Sequence, residues 1–307
     1  MRRSFFKVIE GLAAREKNIY IVSANLGFKL FDDFRSKYAG NFLDVGVAEP
    51  NMIGISAGMA LCGKNVYCYS IIPFLLMRTY EQIRLDIASQ NLKVKLVGAG
   101  GGFAYGLEGV THFALEDLAL MRLLPNMHIV VPADPAEAAI IARQSCSYMH
   151  PLYIRLGKTG DPPVHTRAPA LKIGKGMVLE KGKDIAIFAI GSMVYRARQA
   201  ARLLEKKHLS VTLVNMHTLR PLDKDLIRAC SGSHNAIFTV EEHSIYGGLG
   251  SAVGEILLES GFQGKFWRFG IAAQPQELIG DADFLREKHG LTAEKITAQI
   301  LRKLKRK

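Results

Sequence analysis

The stretch Leu43-Asp44-Val45-Gly46-Val47-Ala48-Glu49-Pro50-Asn51-Met52-Ile53-Gly54-Ile55-Ser56-Ala57-Gly58-Met59-Ala60 sets one glutamate between a short apolar run and a segment of small residues. Pro50 suits a first helical position, where the N–H it lacks has no partner to lose. Glu49 therefore stands at the mouth of a helix rich in Gly, Ala and Ser. Two chemistries are open to a carboxylate there. It can simply favour the positive end of the helix dipole. Among apolar neighbours it can instead carry a raised pKa and share a proton with a ligand. A second candidate is His112, in the glycine-flanked loop Gly106-Leu107-Glu108-Gly109-Val110-Thr111-His112. It is either a surface loop histidine or an imidazole that donates to a developing oxyanion and shuttles a proton.

The elements that must hold these groups alternate. Apolar runs at 19–23, 66–70, 94–98, 128–131 and 152–156 read as strands, and 50–61, 74–89, 116–123 and 136–147 read as helices. Asp134-Pro135 is a clear helix start. A stretch rich in Gly, Pro and charge, 157–170, breaks the pattern and reads as a linker. Beyond it a second alternation predicts strands at 184–190, 210–214, 236–240 and 265–269, with helices at 195–204, 223–229 and 248–258. Such alternation means parallel sheets covered by helices. The expected fold is α/β, with two doubly wound domains at residues 1–165 and 171–307.

Composition narrows the function classes. The chain has 307 residues, 49% apolar and 22% charged, an ordinary soluble balance with room for two cores. No apolar run reaches the roughly 20 residues that span a bilayer. Arg2 and Arg3 open a poor signal peptide, because Lys7 and Glu10 interrupt the apolar stretch. Cys62, Cys68, Cys146 and Cys230 show neither metal spacing nor a disulfide framework, so the expected location is cytoplasmic. The net charge of +12 is dispersed apart from the tail Leu301-Arg302-Lys303-Leu304-Lys305-Arg306-Lys307. Cations there suit the end of the helical stretch 292–300. Neither nucleic acid nor membrane is expected as a partner.

The segment GVAEPNMIGISAGMAL resembles the glutamate-bearing segment of transketolases and deoxyxylulose-phosphate synthases. Four further stretches match in the same order. They are Arg78-Thr79-Tyr80-Glu81-Gln82-Ile83-Arg84, the loop at residues 106–112, Val130-Val131-Pro132-Ala133-Asp134-Pro135-Ala136-Glu137, and Val240-Glu241-Glu242-His243-Ser244-Ile245-Tyr246-Gly247-Gly248-Leu249-Gly250-Ser251-Ala252. The resemblance implies a pyrimidine-binding domain of the thiamine diphosphate fold followed by a transketolase C-terminal-like domain. It implies that Glu49 hydrogen-bonds the aminopyrimidine and activates the cofactor, with Phe74 offering a stacking face. The family's second ring is replaced by Ile71, which leaves stacking one-sided or gives that face to Tyr69. Arg78 joins the cofactor-binding set.

His112 takes the position facing the reacting carbonyl, and Glu108 replaces an aspartate that recognises a substrate hydroxyl. Asn25 replaces another aspartate. The loop Val97-Gly98-Ala99-Gly100-Gly101-Gly102-Phe103 has no cation where family members carry one for phosphate. Loss of such a charge-assisted contact costs ~1.5–3 kcal/mol, so the acceptor is expected to be unusual. Lys29 and Arg155 are the replacement anion ligands.

The family's Gly-Asp-Gly…Asn segment, which holds Mg²⁺ and the diphosphate, is missing, and Gly160-Asp161-Pro162 lies in the wrong context. The resemblance therefore implies a separate N-terminal transketolase subunit that carries the diphosphate and Mg²⁺, with no metal ligand in this chain. A heterotetramer with two chains of each kind is expected. The implied activity is transfer of a two-carbon ketol unit from a ketose to an aldehyde acceptor in specialised sugar biosynthesis. Two alternatives stay open: a beta-type subunit of a 2-oxo acid dehydrogenase or pyruvate-using synthase, and a non-catalytic scaffold.

Overall fold

A computed structural model describes residues 1–158 and 160–305. Thr159 of the expected linker and Arg306 and Lys307 of the basic tail lie outside the described residues. Among the described residues there are twelve strands: β1 Ile19–Ser23, β2 Phe42–Asp44, β3 Asn65–Ile71, β4 Val94–Ala99, β5 His128–Val130, β6 Leu152–Leu156, β7 Met177–Glu180, β8 Ile185–Ala189, β9 Val211–Asn215, β10 Thr218–Arg220, β11 Ala236–Ser244 and β12 Lys265–Ile271. They form a seven-stranded sheet ordered β10-β5-β6-β4-β3-β1-β2 and a five-stranded sheet ordered β12-β11-β8-β9-β7. These strands pair in parallel except β10 with β5 and β7 with β9.

The first sheet explains where a site can form. In an open parallel sheet, ligands sit outside the carboxyl ends of the strands, where the order reverses. Asn25 and Lys29 follow β1, and Glu49 follows β2. Ile71 ends β3, Phe74 and Arg78 follow it, and the loop with Glu108 and His112 follows β4. Every residue of β4 is buried. That includes Lys95, whose ammonium donates to Asn65 Oδ1 at 2.6 Å and to the Lys93 carbonyl at 3.0 Å. The helix Pro135–Cys146 begins where expected, since the Asp134 side chain accepts from Glu137 N and the Glu137 side chain accepts from Ala133 N, a reciprocal cap.

Several elements differ from the sequence reading. The first residues form an amphipathic helix, Arg2–Ala13, that buries Phe5, Phe6, Ile9 and Ala13. The expected helix over 74–89 is broken into Ile72–Leu76, a turn, and a stretch from Tyr80 that widens over Ile83–Ala88. At the break the Thr79 hydroxyl bonds back to the Leu75 carbonyl. The short strands β7 and β10 and the helix Ala282–Lys288 carry too little periodicity to predict.

β10 has the larger consequence, because the second half of the chain completes the first sheet with it. His217 O accepts from Val131 N at 2.8 Å. Arg220 Nη1 donates to the carbonyls of Arg122 and Leu124 at 2.7 and 2.6 Å.

Two histidines are buried where the halves meet. His217 lies against Thr218 Oγ1 at 3.0 Å, and His243 Nδ1 lies 2.8 Å from the Ser244 carbonyl. Burial pushes each imidazole down to about 4. The unfolded chain protonates both below pH 6.5, whereas the folded chain does so only near pH 4. Acidification across that window therefore favours unfolding, by about 1.4 kcal/mol per pH unit for each group. Urea unfolding at pH 7 and pH 5 is expected to show the loss, and His217→Asn to remove about one proton from the slope. Equal stability at the two pH values would contradict this assignment.

Candidate active site

Glu49 opens the helix Glu49–Leu61, with Ala48 as the preceding cap residue and Pro50 in the first turn. Its side chain is only 2% exposed. Oε1 accepts from Ser70 Oγ at 3.4 Å and Oε2 from Arg78 Nη1 at 3.0 Å. Arg78 is 44% exposed, and its guanidinium carbon stands 4.5 Å from the centroid of the half-buried Phe74 ring. One flat group thus donates an N–H to Glu49 while covering the face of Phe74. An aminopyrimidine would make the same two contacts. A buried carboxylate acceptor beside an aromatic face therefore fits such a ring.

From Phe74 the cluster continues to His112, whose ring meets it edge-on at 5.0 Å. The His112 Nδ1 is 2.9 Å from Thr111 Oγ1. Tyr105 lies 5.9 Å from the imidazole, and its ring carries the Lys158 ammonium at 4.3 Å. Lys158 Nζ in turn binds Glu108 at 3.1 Å. Burial alone would raise the Glu108 carboxyl, but the hydrogen bond and charge of Lys158 outweigh it and hold the group below its ordinary range. The loop is closed at its base by paired hydrogen bonds between Gly102 and Ala114, 3.0 and 3.1 Å.

The structure therefore brings Glu49, Phe74, Arg78 and His112 together, with Glu108 further along the same rim. Ser70, Tyr105 and Lys158 complete the cluster and escape the sequence reading. Their signal is positional, since each stands at or just beyond the carboxyl end of β3, β4 or β6.

Ile71 is 8% exposed and ends β3 beside the site. Tyr69 does not supply the second stacking face. Alternation along β3 turns it away from Ser70, into a cluster with Phe6 and Phe31, and its hydroxyl accepts from Arg2 at 3.0 Å. Asn25 and Lys29 are exposed on the loop after β1, both with positive φ. Their backbone N–H groups bond Asp44 and Asp32. Lys29 lines a groove of about 510 Å³ with Arg2, Arg3, Phe28 and Lys158, next to the His112 loop.

Arg155 is placed differently from the expectation. It is 5% exposed and forks onto Asp117 at 2.8 and 3.1 Å, with further bonds to the carbonyls of Ala114 and Glu242. For this guanidinium we propose a structural role in place of the expected anion contact.

Comparison with known proteins matches this architecture. Residues 1–160 match the transketolase pyrimidine-binding domain, and residues 174–296 match the transketolase C-terminal domain. The chain belongs to the transketolase family. One relative is an apulose-4-phosphate transketolase subunit of Phocaeicola vulgatus, 36% identical over 84% of this chain and 84% of that protein. Another is the 6-deoxy-6-sulfo-D-fructose transketolase subunit SqwH of a Clostridium species, 33% identical over 96% and 92%. A solved split-gene transketolase, described as an inactive beta4 tetramer, superposes with a TM-score of 0.90 at 35% identity, covering 98% of this chain and 97% of that one.

If Arg155 is structural, its removal strands the fully buried Asp117 carboxylate. Arg155→Met is expected to lower unfolding stability by about 3–5 kcal/mol in urea titrations. Unchanged stability with a selectively raised substrate KM would return Arg155 to the binding site.

Proposed function

We propose that this chain is the pyrimidine-binding and C-terminal subunit of a two-chain, thiamine-diphosphate-dependent transketolase. It transfers a two-carbon ketol unit from a ketose to an aldehyde sugar. The observation that carries the reading is the Glu49–Arg78–Phe74 contact, a buried carboxylate and an aromatic face bridged by a flat N–H donor. When bound, thiamine diphosphate supplies the carbon nucleophile that the protein itself lacks.

The chain's own groups do the rest. Glu49 accepts a charge-assisted hydrogen bond from the aminopyrimidine, Phe74 and Ile71 border its slot, and Arg78 contacts the cofactor from the rim beside Glu49. His112 donates a proton to the oxygen of the reacting carbonyl and takes it back when that oxygen becomes a carbonyl again. Glu108, oriented by Lys158, accepts from a substrate hydroxyl. Asn25 lines the entrance, and Lys29 faces the groove beside Lys158.

Two named relatives handle sugars that end in a phosphate or a sulfonate. An anionic end of this chain's own sugar would meet Lys29 and Lys158, because the loop after β4 has no cation.

The diphosphate and Mg²⁺ are assigned to an N-terminal partner subunit, and the assembly to two chains of each kind. Exposed apolar residues flank the site residues in sequence, Val47 before Glu49 and Leu107 and Val110 around Glu108. They give that partner a surface to cover. We place the domain boundary between residues 165 and 171 and the enzyme in the cytoplasm, where its four free cysteines stay reduced.

In the reconstituted pair with thiamine diphosphate, Mg²⁺ and xylulose 5-phosphate, Glu49→Gln is expected to leave assembly intact. It should reduce donor cleavage by at least about a hundredfold, the scale of losing a charged hydrogen bond in a dry site. Full cleavage by the variant would exclude the assigned role.

A further inference from the structure

The motif Val240–Ala252 belongs to the C-terminal half, yet Glu242 within it is buried and tied to the His112 loop. It lies on β11, is 1% exposed, and uses both oxygens. Oε1 accepts from the backbone N–H of Phe103 at 2.9 Å. Oε2 accepts from Ser192 Oγ at 2.8 Å and from Arg286 Nε and Nη2 at 3.0 and 2.8 Å. Burial would raise this carboxyl, but the Arg286 charge and hydrogen bonds hold it low.

The approach is tight. Gly102 has φ +65°, and a Cβ there would lie 2.5 Å from Glu242 Cγ, so only glycine lets the loop reach the carboxylate. Three further contacts from the same half hold the loop. The Phe103 ring stacks on His289 at 5.1 Å. Gly106 O accepts from Gly280 N at 3.3 Å, and Leu115 O accepts from Ser244 N at 2.7 Å. A Cβ on Gly106 would strike the Gly280 carbonyl at 2.3 Å. Glu108 and His112 lie between these anchors.

A loop with glycines at 100, 101, 102, 106 and 109 loses much conformational entropy when ordered. An imidazole acting on a reacting carbonyl must nonetheless be held to about half an ångström. We propose that Glu242 is a positioning residue for the reaction: through Phe103 and Arg286 it makes the C-terminal domain the rigid back wall of the His112 loop. The proposal rests on the role given to His112 above.

Two variants test it. Glu242→Gln keeps the shape but loses the charged bond to Arg286, and Glu242→Ala removes the acceptor of Phe103. Hydrogen exchange of the full chain is expected to speed up across 103–115, several-fold for Gln and tenfold or more for Ala. Residues 49–61 should be unchanged.

In the reconstituted pair with thiamine diphosphate, Mg²⁺ and xylulose 5-phosphate, kcat should fall in the same order. The dissociation constant of thiamine diphosphate should stay within twofold. Unchanged loop exchange in the folded Gln variant would overturn the proposal. So would faster exchange with unaltered kcat, or equal losses of kcat and cofactor affinity. If the unsubstituted pair shows no turnover, the assigned reaction fails, while the exchange result still decides whether Glu242 holds the loop.

Discussion

A carboxylate that is 2% exposed at the start of a helix must be matched by donors, since leaving it ionised and alone would cost several kcal/mol. Most of the geometry around Glu49 follows from that requirement. The helix N-terminus contributes its positive end, β3 brings Ser70, and the turn after Phe74 brings Arg78. The same arrangement leaves one flat place between Glu49 and Phe74. Arg78 fills it from a half-exposed position.

The parallel sheet turns this local match into a site. Because β1, β2, β3, β4 and β6 all point the same way, their carboxyl ends deliver Lys29, Glu49, Phe74, His112 and Lys158 to one rim. The second half of the chain is part of the same construction. It lends β10 to the first sheet, receives Arg155 at the Glu242 carbonyl, and presses Gly280 against Gly106. The two halves meet along the loop that carries Glu108 and His112.

Much of this is legible in the amino-acid sequence. The runs 19–23 and 152–156 coincide with β1 and β6, because strands buried on both faces leave unbroken apolar sequence. Glu49 and His112 stand out through their motifs and Phe74 through the position the resemblance gives it, and the structure gathers them. What escapes is set by long-range geometry. β10 has three residues and gains its meaning only from β5. Arg155 reads as an anion ligand from its place on the last strand before the linker, but its partner Asp117 lies 38 positions away. Tyr105, Lys158 and Glu242 carry no motif spacing that points to His112. Their roles appear only when the loop after β4 is seen folded against β6 and β11.

The central claim is that Glu49 and Phe74 form half of a cofactor site that a second chain completes. The most direct test is calorimetric titration of thiamine diphosphate with Mg²⁺ into this chain alone, into its partner alone, and into the equimolar pair. Saturable binding confined to the pair, and weakened there by Phe74→Ala, is the expected result. Equally tight binding by this chain alone would contradict the account.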